Sequence, residues 1–339
     1  MSAAHPHSSH AVPSAGRRRA WAVIAGLALA GVLAQVWALA AGELDIPARE
    51  VLGALFGGGQ GMGADVVREL RLPRAVAVYA CGGLLAMAGA LMQVLLRNPL
   101  ADPYVLGISG GAAVGALAAM LFGLAPLLVD GAAFGGALAA MLLVFGLAHG
   151  DGSWTQTRLL LTGVIVAAGC GAAVTLMLAL APDTRVQSML FWLMGDASGA
   201  TRPWPALAVM AAGLLAALPF ARELNLLARG ELAAQALGVQ VRRLRYLLYV
   251  LASLLTAVAV TLVGSVGFVG LVVPHLVRFV VGNDQRLLLP AVMLAGGALL
   301  TLADTAARTV IAPLQLPVGV LTALIGVPVF LFLLARRQR

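Results

Sequence analysis

The chain has 339 residues, 61% of them apolar and 11% charged, with a mean hydropathy of +0.97, which excludes an ordinary water-soluble domain. At roughly 20 apolar residues per crossing of a hydrocarbon core about 30 Å thick, this length holds about ten crossings with short loops and no large soluble domain. The net charge of +8 falls between apolar runs and not along one polar face, so it reads as topology-setting charge and excludes a nucleic-acid surface.

Residues 1–19 read as a disordered cytoplasmic tail, with a histidine-rich stretch, His5 to His10, that is either simply solvated or metal-binding. Arg17 to Arg19 precede the first apolar run, Ala20–Ala41. A secretory signal is the competing reading there, but the run is longer than a signal's apolar core, so a retained span is expected. Further runs follow at Arg74–Leu96, Val105–Gly123, Gly131–Ala148, Leu159–Leu180, Ala206–Phe220, Leu244–Val263, Gly267–Val281, Leu287–Ala307 and Pro317–Ala335. These make an all-α polytopic membrane protein of about ten transmembrane helices. The third run begins among Gly and Pro and the eighth is short, so both are expected to be broken or partly unwound helices that line a cavity.

With the N-terminus inside, Arg17, Arg18, Arg19, Arg97, Arg158, Arg222, Arg229, Arg242, Arg243, Arg245, Arg278, Arg286, Arg336, Arg337 and Arg339 lie on or towards the cytoplasm. Arg49, Arg68, Arg71, Arg74, Arg185, Arg202 and Arg308 stay outside. That bias obeys the positive-inside rule and puts both termini in the cytoplasm. The 40 glycines suit close helix packing in lipid. All 22 basic residues are arginine, so a nucleotide-binding loop of the form GxxxxGK[ST] cannot exist in the chain. The two cysteines, Cys81 and Cys170, fall in apolar runs without ligand spacing, so neither a disulfide nor a metal site is expected.

The acidic residues fall in loops or at span ends: Asp102, Asp151, Glu231 and Asp284 inside, and Glu43, Asp65, Asp183 and Asp304 outside. An ion-coupled carrier needs a carboxylate within the membrane, so energy is expected to come from another subunit; an ion-coupled secondary transporter or channel is the alternative. His275 and Arg278 are the ionisable groups well inside a span, on one helix face after Pro274. They are pathway or gate candidates, unless Arg278 only snorkels to the interface. Asn98, Pro99 and Leu100, in the Pro- and Gly-rich stretch NPLADPYVLGISGG, are further gate candidates, with an ordinary turn as the other reading. Trp192 and Trp204 in FWLMGDASGATRPW, around Asp196, suit either an interfacial belt or stacking on a flat ligand.

The segment LRLPRAVAVYACGGLLAMAGALMQVLLRNPLADPYVLGISGG, Leu70 to Gly111, resembles the FecCD-type permease family, which imports iron-siderophores, haem and vitamin B12. The likeness continues through GFVGLVVPHLVRFVVGNDQRLLLP, ADTAAR and LPVGVLTALIGVPVFLFLL. It implies a type II ABC importer permease fold over residues 20–336 in a bacterial inner membrane, with no catalytic chemistry and no cofactor. The implied partners are a second copy forming a homodimer, two cytoplasmic ATP-binding-cassette ATPases and a periplasmic substrate-binding protein. The implied substrate is an iron chelate, ferric siderophore first, with haem and cobalamin close behind.

By the same resemblance Arg71, Arg74 and Arg308 match positions that receive acidic residues of the binding protein; anchoring helix ends at the headgroups is the other reading. A planar guanidinium fork suits a carboxylate. Residues 221–243, within FARELNLLARGELAAQALGVQVRRLR, look like the family's cytoplasmic coupling helices, with Glu231, Ala234, Leu237 and Gly238 as ATPase contacts. A solvated amphipathic loop is the alternative. Its helical core is expected over Gly230 to Leu237, ending at a Gly238 cap.

Overall fold

The computed structural model describes residues 14–42, 44–58, 61–148, 155–200, 202–312 and 314–337. The His5 to His10 stretch, Glu43, Asp151 and Arg339 lie outside them. Helix α1 (Ser14–Ala40) is followed by the short helices α2 (Ala48–Phe56) and α3 (Met62–Asp65). A wide π turn, Val66–Arg71, joins α3 to α4 (Leu72–Leu95), making one continuous rod from Met62 to Leu95. A 3-10 turn, Pro103–Leu106, leads into α5 (Ile108–Leu121), α6 (Pro126–Ala148), α7 (Gln156–Leu180), α8 (Asp183–Met194) and α9 (Trp204–Ala217). Next come the short pair α10 (Ala221–Arg229) and α11 (Glu231–Ala236), then α12 (Val241–Val263), α13 (Val269–Val281), α14 (Gln285–Thr309) and α15 (Val318–Arg337).

Among the described residues, seven helical stretches are long and apolar enough to cross a membrane, and the shorter apolar helices α5, α13 and α15 complete the ten expected from hydropathy. The third and eighth spans are broken where the sequence predicts it. Asp102 accepts from Tyr104 N to start the 3-10 turn, and Gly107, at φ 75°, restarts the chain as α5. At α13 the restart falls on Phe268, a non-glycine residue at φ 69°, its side chain pressed on Gly326 of α15. The amphipathic α2 and the short α8 were not expected as helices.

Helix α4 is the centre of the bundle: 89% of its apolar window is buried, against 11% for α7. It packs against α12, α13 and α14. With no hydrophobic drive between helices in lipid, backbone proximity does the work. A methyl on Gly82 would sit 2.7 Å from the carbonyl carbon of Gly296, and one on Gly89 2.7 Å from Gly270 Cα. Glycine at these crossings lets α4 lie against α14 and α13 backbone to backbone. Gln35 of α1 then donates to Ala75 O (3.0 Å) and Thr301 Oγ1 (3.2 Å), tying α1 to both α4 and α14.

Candidate functional site

Two groups of polar side chains stand at opposite ends of the α4–α14 pair. At the first end, the π turn delivers Arg71, the first turn of α4 delivers Arg74, and the last turns of α14 deliver Asp304 and Arg308. Asp304 is 3% exposed and seats the group. Arg74 donates through Nη2 to its Oδ1 (2.8 Å) and through Nε to its Oδ2 (3.1 Å). The remaining Nη1 of Arg74 reaches Gln315 Oε1 at 3.0 Å. Arg308 lies four residues on, its Nε 3.2 Å from Asp304 Oδ2 without hydrogen-bond alignment, and its Nη2 donates to Ala38 O at 3.2 Å.

Arg71 is turned inward, a correction to its expected outward-facing role. Only 6% exposed, it donates to the carbonyls of Leu39 (2.8 Å), Ala40 (3.0 Å) and Leu44 (2.6 Å). It thereby satisfies carbonyls that the end of α1 leaves without intrahelical partners, and Gly42 makes room, since a methyl there would lie 2.6 Å from Nη2. A partner's carboxylate would reach Arg71 only by displacing those carbonyls, whereas Arg74 and Arg308 keep an edge at the surface. Asp304, read from sequence as an outer carboxylate at a span end, is buried between two guanidiniums. The i, i+4 spacing of Asp304 and Arg308 was the overlooked signal.

At the opposite end lie α10 and α11, joined through Gly230 at φ 141°. Helix α11 closes as expected at Gly238 (φ 82°): Val239 N donates to Ala234 O (3.0 Å) and Gly238 N to Gln235 O (2.9 Å), a Schellman closure. Leu237 is 62% exposed and Gly238 is exposed. Ala234, expected as a contact, is fully buried beneath the helix, and Leu232, not singled out from sequence, is 82% exposed. Glu231 spends its carboxylate on Arg245 Nη2 at 2.6 Å, tying α11 to α12. On α10, Ala221, Leu224 and Leu227 are buried, and Asn225 bonds to Asp284 and Gln285 at the start of α14.

The gate candidates divide. Asn98, Pro99 and Leu100 form a capped turn after α4: Asn98 N donates to Gln93 O (3.2 Å) and its Oδ1 accepts from Leu100 N (2.9 Å). The turn reading is the one this geometry favours. Arg278 donates through Nη1 to Gln93 Oε1 at 2.5 Å, while Gln93 Nε2 donates to Leu271 O at 3.2 Å, latching α13 to α4. His275 stacks edge-on with Phe279, centroids 5.1 Å apart. Gln93, 4% exposed, was not singled out, although a lone amide in an apolar span is itself a signal. Trp204 is 58% exposed at the start of α9, Trp192 is half-buried, and Asp196 is taken up by Ser198 N (2.8 Å) and Oγ (2.6 Å).

Residues 27–336 match the model of the FecCD transport family. The chain belongs to that family. The cobalamin import system permease BtuC of Halobacterium salinarum is 45% identical over 80% of this chain and 74% of its own length. The hemin transport system permease HmuU of Yersinia pestis is 43% identical over 80% of this chain and 83% of its own. Among solved structures, an inward-facing conformation of a transporter assigned to the metal-chelate ABC type superposes with a TM-score of 0.80 at 30% identity, covering 93% of this chain and 99% of that one. The chain is thus a membrane permease of the ABC importer type, a transport subunit and not an enzyme.

Proposed function

We propose that the chain acts as a homodimer in a bacterial inner membrane, both termini cytoplasmic, moving an iron chelate or corrinoid inward with two ATPase subunits and a periplasmic binding protein. The observation that carries this reading is the α10–α11 pair, which exposes Leu232 and Leu237 to solvent on a chain whose lack of lysine denies it a nucleotide-binding loop. Energy has to enter from a partner, and an exposed apolar helix rigidly tied to the bundle is a surface for that partner. Residues 20–336 form the permease unit and 221–243 its coupling segment, with Leu232, Leu237 and Gly238 facing the ATPase and Glu231 bracing α11 from behind.

The cluster of Arg71, Arg74 and Arg308 then faces the periplasm and meets acidic residues of the binding protein. Arg74 and Arg308 make the contact and Arg71 supplies charge behind them. The resemblance ranks ferric siderophore first as the broadest class. The names of the relatives support offering cobalamin and haemin beside it.

The test is uptake into proteoliposomes holding the permease with its ATPase, with labelled ferric siderophore, haemin and cobalamin supplied through the binding protein. ATP-dependent accumulation of one ligand, absent without either partner and lost in Arg74→Glu/Arg308→Glu, is the expected result. Accumulation by the permease alone under an ion gradient would overturn the reading in favour of a secondary carrier.

A further inference from the structure

Helix α14 is bracketed at both of its ends, and the bracket at its N-terminus is Asn225. The amide Nδ2 donates to Asp284 Oδ1 at 2.8 Å, and its Oδ1 accepts from Gln285 N at 2.9 Å, so one side chain binds both the cap residue and the first residue of α14. Asp284 Oδ1 also accepts from Arg286 N at 3.1 Å, which completes the cap. Below Asn225, the face of α10 formed by Ala221, Leu224 and Leu227 is buried, and α10 packs against α4 and α14. From Asp284 to Asp304, which holds Arg74 and Arg308, is 20 residues of one helix, or about 30 Å at 1.5 Å per residue. Midway, Gly82 and Gly296 bring α4 and α14 together backbone to backbone.

We propose that Asn225 is a positioning residue that locks the α10–α11 pair to α14, so that displacement of the pair and displacement of the arginine cluster are one movement of one helix. This rests on the importer reading above. In this role Asn225 acts through Asp284 and Gln285. The other polar tie described for the pair, Glu231 to Arg245, leads into α12 and not to the arginine cluster, whereas the Asn225 bracket leads along α14 to Asp304.

The experiment has two arms and three proteins: wild type, Asn225→Ala, and the exchange Asn225→Asp with Asp284→Asn. The exchange reverses the 225–284 pair and keeps an acceptor for Gln285 N; because one Asp284 oxygen serves both Asn225 and Arg286 N in the wild type, the amide at 284 turns so that Nδ2 donates to the carboxylate at 225 and Oδ1 accepts from Arg286 N. In the first arm, amide hydrogen exchange across 221–236 is read by mass spectrometry on the permease alone in lipid nanodiscs. Asn225→Ala should exchange about tenfold faster there, and the exchange variant should return to wild type.

In the second arm, ATP hydrolysis of the assembled complex is measured with and without its binding protein, loaded with whichever of cobalamin, haemin or ferric siderophore the wild type imports. Asn225→Ala should keep its ATPase and basal hydrolysis but lose about tenfold in stimulation by the loaded binding protein, restored in the exchange variant. Unchanged hydrogen exchange, full stimulation in Asn225→Ala, dissociation of the ATPase, or failure of the exchange variant to rescue would each overturn the proposal. Absence of stimulation in the wild type would strike the importer reading instead, while the first arm still judges the bracket.

Discussion

Replacing Gly82 with alanine asks whether α4 and α14 are held by backbone contact. The added methyl would lie 2.7 Å from the carbonyl carbon of Gly296 and 2.8 Å from Leu300 Cβ, where carbon atoms ordinarily settle at about 3.5–4.0 Å. The shortfall is roughly 1 Å, and part of what the methyl meets is main chain, so no rotamer change relieves it. The helices have to part. Overpacking costs about 1–3 kcal/mol, and a wedge against backbone belongs at the upper end, because a gap of up to 1 Å forfeits a quarter to a half of the dispersion energy along the seam. Alanine returns about 1 kcal/mol as the better helix former, leaving a net loss of about 2 kcal/mol. Thermal unfolding of the purified permease in detergent reads this as a lowered midpoint. Gly146→Ala on α6, where nothing lies within 4 Å of the added methyl, should hold or gain stability. A Gly82→Ala protein that melts with or above the wild type would refute the backbone seam.

Arg71→Ala should lower the same melting midpoint by the equivalent of about 2 kcal/mol, since the carbonyls of Leu39, Ala40 and Leu44 lose their donor; an unchanged midpoint would show that water replaces the guanidinium freely. Gln93→Ala and Arg278→Ala should each destabilise by about 1–3 kcal/mol and be non-additive by about 1 kcal/mol in the double variant, because each removes the same latch; simple additivity would sink the pairing. Leu232→Asp should leave the permease melting as wild type, because the side chain is 82% exposed. The same variant should reduce co-purification of the ATPase, and full retention would move the contact elsewhere.

Much of this bundle is readable from hydropathy because lipid enforces it: a helix of about 20 apolar residues is the cheapest way to cross, so apolar runs and spans coincide. The break before α5 is equally readable, because Pro99, Pro103 and the glycines from Gly107 prevent a straight helix there, while the one before α13 shows in the sequence as the shortness of the eighth run. What escaped was short or unmarked. Helices α2 and α8, of 9 and 12 residues, are too short for a hydropathy window. The π turn before Arg71 leaves no compositional trace. Arg71 stood out as a charge where charge is unwelcome, but its partners are carbonyl oxygens, which every residue carries and no sequence pattern marks. Helix α11 misled in a different way: in six residues the buried position is an alanine and the exposed ones include leucine, inverting the rule used to read faces.

That inversion and the polar brackets obey one physical constraint. Between helices in lipid, apolar side chains gain nothing over contact with acyl chains, so the α4–α14 seam needs close backbone approach in its middle. Its ends lie where water and headgroups return, and there ion pairs and caps become affordable: Asp304 with Arg74 and Arg308 at one end, Asn225 with Asp284 at the other. A helix seated on glycine in the middle and tied by polar groups at both ends resists bending and sliding separately. Whole-body displacement is the soft motion left to it, and rigid-body rocking of packed helices is what alternating access requires. Leu232 of α11 and Leu237 just after it lie outside this frame and outside the helices long and apolar enough to cross a membrane, which is why the proposed ATPase contact is placed on them.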